Sequence, residues 1–302
     1  MLKVEKWGGR SLAILVILVS VLTSACTTME VDEKNFIRPD QRSGWIKKKD
    51  LSKAKLEQAF PELAIEEVKL QSNDGNVLHG ISAQVEPTSL ETVQRELTTV
   101  LYFGGNMFHL DDASDAVLSV PRSCKANWIS YDYRGYGRSA GDPTIALMQQ
   151  DALAIYDAVR ARVKGRLVLH GHSLGSFIAS YVAGQRAVDG VILESTATNA
   201  LDWANANVPW YVKPFVRIQI NPSLQGIDNV LEMGKHRGAG LVLVGDRDEV
   251  TPAYLGERVA AAMANPNKRF LVITGAGHNG LLQGETGRPA REAYCAFLRA
   301  QP

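Results

Sequence analysis

The chain has 302 residues, 45% of them hydrophobic and 22% charged, with a net charge of +1. That length supports one large core plus small extras. The near-neutral balance excludes the basic footprint of a nucleic-acid binder and the long acidic run of a disordered tail.

The chain opens on a basic stretch, Lys3, Lys6 and Arg10, followed by an unbroken apolar or small run over 12–22. The run is short for a membrane span and suits the centre of a secretory signal. Leu22-Thr23-Ser24-Ala25-Cys26 then leads through small residues into a cysteine. This resembles a bacterial lipobox, with Thr23 where Leu is commoner, and the resemblance implies cleavage before Cys26 and acylation of that residue. Ordinary cleavage near Ala25 or an uncleaved anchor are the competing readings. Residues 1–25 are thus expected to be a lipoprotein signal peptide and 26–60 a lipid-anchored tether with an N-terminal segment. The body is then a membrane-anchored lipoprotein of the cell envelope, outside the cytoplasm, and several acyl chains on Cys26 make such anchoring stable. Residues 27–45 are polar and aperiodic, as a tether would be. Lys47, Lys48, Lys49, Lys53 and Lys55 read as a solvated helix face, with recognition of anionic lipid as the alternative.

From residue 63 the pattern turns extended. Two alternating stretches, 65–71 and 77–85, flank Asn73-Asp74-Gly75-Asn76, a strong hairpin signal. Strands are predicted at 99–103, 127–132, 190–194, 241–245 and 270–274, and helices at 111–120, 144–163 and 288–299. Strands alternating with helices imply a mostly parallel sheet covered on both faces, opened by an antiparallel hairpin. Residues 196–237 break this rhythm with Trp203, Pro209, Trp210, Tyr211, Pro214 and Phe215. A segment so long and aromatic is either a helical cap over a site, which its composition favours, or a satellite packing element. Cys124 and Cys295 are either a pair or two buried thiols.

The most informative stretch is Gly171-His172-Ser173-Leu174-Gly175. An apolar strand, Arg166 to His170, precedes it and helix-forming residues follow it. A serine held between strand and helix by two glycines is a nucleophile elbow. Its hydroxyl needs a general base oriented by a carboxylate. His278 stands in a glycine-rich loop after a strand, where chemistry collects. His109 is the rival base, while His79, His170, His172 and His236 read as structural. For the carboxylate, Asp248 sits in the loop after the 241–245 strand, with Asp246 as the alternative.

In these residues the chain resembles an α/β-hydrolase: Ser173, Asp248 and His278 follow that fold's order. Gly245-x-x-Asp248-x-x-Thr251-Pro252 resembles its acid loop, and Asp132-Tyr133-Arg134-Gly135-Tyr136-Gly137-Arg138-Ser139 a turn common in its cap-bearing members. The resemblance covers about 62–298 and is most similar to the membrane-associated acyl-thioesterase-like and monoglyceride-lipase-like branch. It implies a hydrolase domain over 61–302 with a cap insertion at about 196–237. Phe103-Gly104-Gly105-Asn106 matches the family's oxyanion loop, with Gly104 in place of the usual His. The match implies an oxyanion held by the amides of Leu174 and Asn106. Asp132 and Arg134 are expected to be structural, as an internal ion pair or turn lock.

The expected activity is serine hydrolysis of an ester or thioester through an acyl-enzyme, on a small or lipid-like acyl substrate. No metal, organic cofactor or nucleic-acid partner is implied. An amidase or peptidase using the same triad, and a non-catalytic binding lipoprotein, are the alternatives.

Overall fold

The computed structural model describes residues 27–44, 53–85 and 97–300. The signal-like residues 1–25, Cys26 and the lysines at 47–49 lie outside the described residues. Among the described residues no helix is long and apolar enough to cross a membrane.

The chain begins with β1 (Thr27–Val31), the short helices α1 (Glu33–Phe36) and α2 (Asp40–Ser43), and α3 (Lys53–Ala59). The hairpin of β2 (Leu63–Gln71) and β3 (Val77–Val85) follows, closed where expected, with Gly75 at φ 85°. Strand β4 (Thr99–Phe103), α4 (Leu110–Ser123) and β5 (Asn127–Tyr131) lead to α5 (Ile145–Arg160), β6 (Leu167–His172) and α6 (Leu174–Gln185). Next come β7 (Gly190–Glu194), α7 (Ala200–Asn207), β8 (Val216–Ile220) and α8 (Asn229–Lys235). Strand β9 (Ala239–Gly245), α9 (Ala253–Ala262), β10 (Lys268–Ile273) and α10 (Arg288–Arg299) close the chain.

Eight strands form one sheet in the order β10-β9-β7-β6-β4-β5-β3-β2, parallel from β10 to β5 and antiparallel through β3 and β2. The predicted mostly parallel sheet with an antiparallel opening is therefore the observed one. Its central strands read as unbroken apolar runs because both faces are covered. Side chains alternate between two cores. Leu101, Leu169, Leu193 and Val242 pack with α5, α6 and α9, whereas Val100, Val168, Ile192 and Leu241 pack with α4 and α10. The chain crosses from β4 to β5 in one direction and from β6 to β7 in the other. The switch point thus lies between β4 and β6, where a crevice opens at the strands' carboxyl ends.

Residues 27–44 are not a free tether. β1 runs parallel to β8 in a separate two-stranded sheet, and Val31, Phe36 and Ile37 are buried in the main core. The Phe36 ring lies 5.2 Å from that of Trp203 and 5.6 Å from that of Phe177. Asp32 caps α1, and Glu33 caps α5 by accepting from the Ile145 amide at 2.8 Å. Three buried apolar side chains fasten a segment whose remaining residues are mostly polar, so no periodicity announced it. The aromatic segment after β7 also divides. Its second half, with Leu224, Ile227 and Met233, belongs to the core, and Asn229 bonds Ser176, Thr196 and Ala197 beneath it. Its first half, α7 to β8, carries the exposed aromatics.

Cys124 and Cys295 form a disulfide with Cα atoms 5.0 Å apart, joining the end of α4 to α10 on one face of the sheet. Closing a loop of 171 residues constrains the unfolded chain strongly. Replacing both cysteines with serine is expected to lower unfolding free energy by roughly 2–5 kcal/mol, read from urea denaturation under non-reducing conditions.

Candidate active site

Gly171 and Gly175 bring the elbow together. A Cβ at Gly171 would run into the backbone of Gly175, and one at Gly175 into the carbonyls of Phe103 and Gly104. With those side chains absent, the start of α6 packs against the end of β4, and Ser173 takes the strained φ of 51° that lifts its hydroxyl clear. The turn is pinned by the Ser173 amide donating to Glu194 O at 2.9 Å and by Ser176 Oγ donating to Ser173 O at 2.6 Å.

Ser173 Oγ lies 2.9 Å from His278 Nε2, and His278 Nδ1 lies 2.9 and 3.1 Å from the Asp248 oxygens. The structure thus brings together three residues separated by up to 105 positions. Asp248 is buried and fully partnered: Oδ1 accepts from the amides of Val250 (2.9 Å) and Thr251 (2.8 Å), and Oδ2 from Thr251 Oγ1 (2.7 Å). Burial alone pushes this carboxyl up. The hydrogen bonds from His278 and Thr251 outweigh it and hold the group below the usual carboxylate range. The alternative acid, Asp246, accepts instead from the Gly275 amide at 2.7 Å.

The His278 loop is fixed through its carbonyl, which accepts from His172 Nε2 (3.2 Å) and Ser195 Oγ (2.7 Å). Burial pushes the His172 imidazole down, so it stays neutral and donates from Nε2. The rival base His109 is engaged elsewhere, with Nε2 2.6 Å from Asp40 Oδ1. Behind the elbow, His170 is held between Glu194 (3.1 Å) and Tyr294 (3.2 Å), a structural position as expected.

Because Phe103 is in register with Gly171, the 104–106 loop ends beside the elbow. A Cβ at Gly105 would lie 3.5 Å from that of Ser173. The amides of Asn106 and Leu174 donate to no other described group in this arrangement. The side chain of Asn106, by contrast, is engaged through both its oxygen and its nitrogen. Its Oδ1 accepts from the Arg38 amide and Tyr136 hydroxyl, both at 3.0 Å, and its Nδ2 donates to Phe36 O at 3.1 Å. The N-terminal segment therefore clamps this loop, a role the sequence reading did not find. Its only local signs were the Asp32–Asn35 capping pair and the adjacent Phe36-Ile37.

Asp132 and Arg134 serve structure separately. Arg134 pairs with Asp151 (2.6 Å) and Asp74 (2.8 Å). Asp132 locks its turn by accepting from the Leu110 and Arg138 amides, both at 2.9 Å. Burial raises its carboxyl to about 6 against those hydrogen bonds. A raised folded value means the neutral acid is favoured in the fold. Its stabilisation is complete below the unfolded carboxyl range and is lost as pH rises through about 6. Unfolding free energies of wild type relative to Asp132→Asn, from urea titration, are expected to fall between pH 4 and 7 by on the order of 2–3 kcal/mol.

The model of the family described as "Alpha/beta hydrolase family" matches residues 78–231, from β3 through the elbow into α8. An uncharacterised protein of Mycobacterium tuberculosis, Rv2307c, is 32% identical over 152 residues, covering 49% of this chain and 52% of that one. The chain thus spans about half the length of that relative. The alpha/beta hydrolase domain-containing protein WAV2 of Arabidopsis thaliana is 27% identical over 226 residues, covering 69% and 70%. Among solved structures, the Pyrococcus furiosus esterase Pf2001 shares the fold with a TM-score of 0.61 at 17% identity, covering 78% of this chain and 92% of that one. With a family model matched across just over half of its length, the chain belongs to the alpha/beta hydrolase family.

Proposed function

We propose that the chain is a serine hydrolase that cleaves a carboxylic ester or thioester through an acyl-enzyme. The observation that carries this reading is the continuous Ser173–His278–Asp248 hydrogen-bond line on the elbow, 2.9 Å at each step. Ser173 Oγ bonds to the acyl carbon as its proton passes to His278 Nε2, and the carbonyl electrons move onto oxygen. The amides of Leu174 and Asn106 stabilise that oxyanion, with the N-terminus of α6 adding a favourable dipole. Collapse breaks the bond to the alcohol or thiol, which takes the proton from Nε2. Water then repeats the sequence on the acyl-enzyme and releases the acid. Nothing in this cycle calls on a metal or organic cofactor.

In the same reading Cys26 carries the lipid, the body works in a bacterial cell envelope outside the cytoplasm, and the branch is the membrane-associated acyl-thioesterase-like and monoglyceride-lipase-like one. A fluorophosphonate probe followed by an acyl-length series of p-nitrophenyl esters tests the chemistry. Labelling of wild type and loss of label in Ser173→Ala are expected. An unlabelled wild type overturns catalysis in favour of a binding role, and turnover of amides with no turnover of esters overturns the substrate class.

A further inference from the structure

Thr27 follows Cys26 directly in the sequence and pairs in register with Val216, the residue after Phe215. Any lipid on Cys26 is therefore attached one residue before a strand held against β8. Leading into β8 is a turn of unusual composition, Pro209-Trp210-Tyr211-Val212-Lys213-Pro214-Phe215. Trp210 is 82% exposed, Tyr211 62% and Phe215 49%. The turn is built rather than loose. The amides of Val212 and Lys213 donate to Pro209 O, that of Phe215 donates to Val212 O, and the Trp210 and Tyr211 rings meet edge-on at 5.9 Å. Lys213 and Arg217 are exposed on the same stretch.

Aromatic rings in water are costly, and one with a polar edge is best placed where hydrocarbon meets headgroups. Exposed lysine and arginine beside them suit anionic lipid. A single apolar turn binds a bilayer only weakly, but a second membrane signal one residue from Thr27 makes the pair effective. The turn also adjoins the chemistry. Asn207, at the end of α7, donates from Nδ2 to Val250 O at 3.0 Å, and the Val250 amide donates to Asp248.

We propose that the 209–215 turn inserts into the headgroup–acyl boundary of the bilayer in which the Cys26 lipid is embedded, seating the acid-loop side of the active site on the membrane. This rests on the lipid-anchor reading above. The occupant is the bilayer itself.

The test uses the full chain, expressed with its signal and reconstituted into phosphatidylcholine–phosphatidylglycerol vesicles whose acyl chains are brominated near the headgroup. Trp210 emission is isolated as the difference between wild type and Trp210→Phe, a substitution that leaves hydrolysis of soluble esters unchanged. The expected result is emission quenched at least about twofold by brominated lipid and shielded from iodide. Vesicle-bound protein whose Trp210 emission stays open to iodide overturns the turn and leaves the anchor standing. Mass spectrometry showing no acyl chains on Cys26 overturns the anchor, and the turn is then tested alone in full-length Cys26→Ser with excess vesicles. There, binding that falls by about tenfold in Trp210→Ser/Tyr211→Ser/Phe215→Ser supports insertion. Equal binding in both, or binding in neither, overturns it. So does a blue shift that grows with protein concentration in the absence of lipid, which marks a second copy as the occupant.

Discussion

Ser173→Ala is expected to lower kcat/KM on an activated ester by roughly 10⁴- to 10⁶-fold, the scale of losing a nucleophile whose partners act only through it. The substitution removes one oxygen and leaves the backbone able to keep its φ of 51°, so circular dichroism and the melting temperature are expected to stay close to wild type. A residual rate above that in water is expected from the oxyanion amides and from substrate binding. The elbow supplies a companion test. Strain of this kind costs on the order of 1–3 kcal/mol in a residue with a Cβ, whereas glycine adopts positive φ freely. Ser173→Gly is therefore expected to be as inactive as Ser173→Ala yet more stable, by about 1 kcal/mol in urea titration. Stability rising as activity vanishes would mark the strain as serving chemistry. Retention of ester turnover in Ser173→Ala would sink the acyl-enzyme.

What could be read in advance divides by physical range. The elbow is a local event: two glycines, a serine and the flanking strand and helix lie within some twenty residues, so sequence alone places it. The acid and base were legible for a related reason. Each follows an apolar strand, and parallel strands of one sheet deliver their carboxyl ends to the same edge. The choice of Asp248 over Asp246 turned on which residue stands in the loop proper, and Thr251 completes that choice by donating to Asp248. The N-terminal segment was illegible because its fastening is tertiary. Phe36 is held by Trp203 and Phe177, and Asp40 by His109 and the Gly137 amide, all far along the chain. Strand β8 carries a two-residue alternation, Val216-Arg217-Ile218-Gln219-Ile220, but its partner is the equally inconspicuous β1. The pairing of Cys124 with Cys295 was equally closed to sequence, since it depends on α4 and α10 sharing one face of the sheet.

Asp248→Asn is expected to cost about 10⁴-fold in kcat while the fold survives, and the hydrogen bonds say why. Oδ1 of Asp248 accepts from two backbone amides, at 2.9 and 2.8 Å, which only a carbonyl oxygen can do. An asparagine must therefore put its oxygen there and its NH₂ in the place of Oδ2, facing His278 Nδ1. A donor at that place makes Nδ1 an acceptor, so the neutral ring carries its proton on Nε2 and can no longer take one from Ser173. The neutral side chain also withdraws the negative charge that stabilises the imidazolium formed during attack. Thr251 Oγ1 can turn to accept from that NH₂ group, so the stability loss that accompanies the rate effect is expected to stay at about 1 kcal/mol or less. Thr251→Val separates the two contributions. It removes one donor and keeps the carboxylate, so a drop of roughly tenfold or less in kcat is expected. The comparison that decides the assignment is Asp246→Asn, whose carbonyl oxygen can keep the bond from the Gly275 amide and which is expected to retain turnover. Steady-state rates on one p-nitrophenyl ester for all three variants give the answer. A large loss in Asp246→Asn with Asp248→Asn nearly wild type would transfer the role of orienting His278 to the other carboxylate.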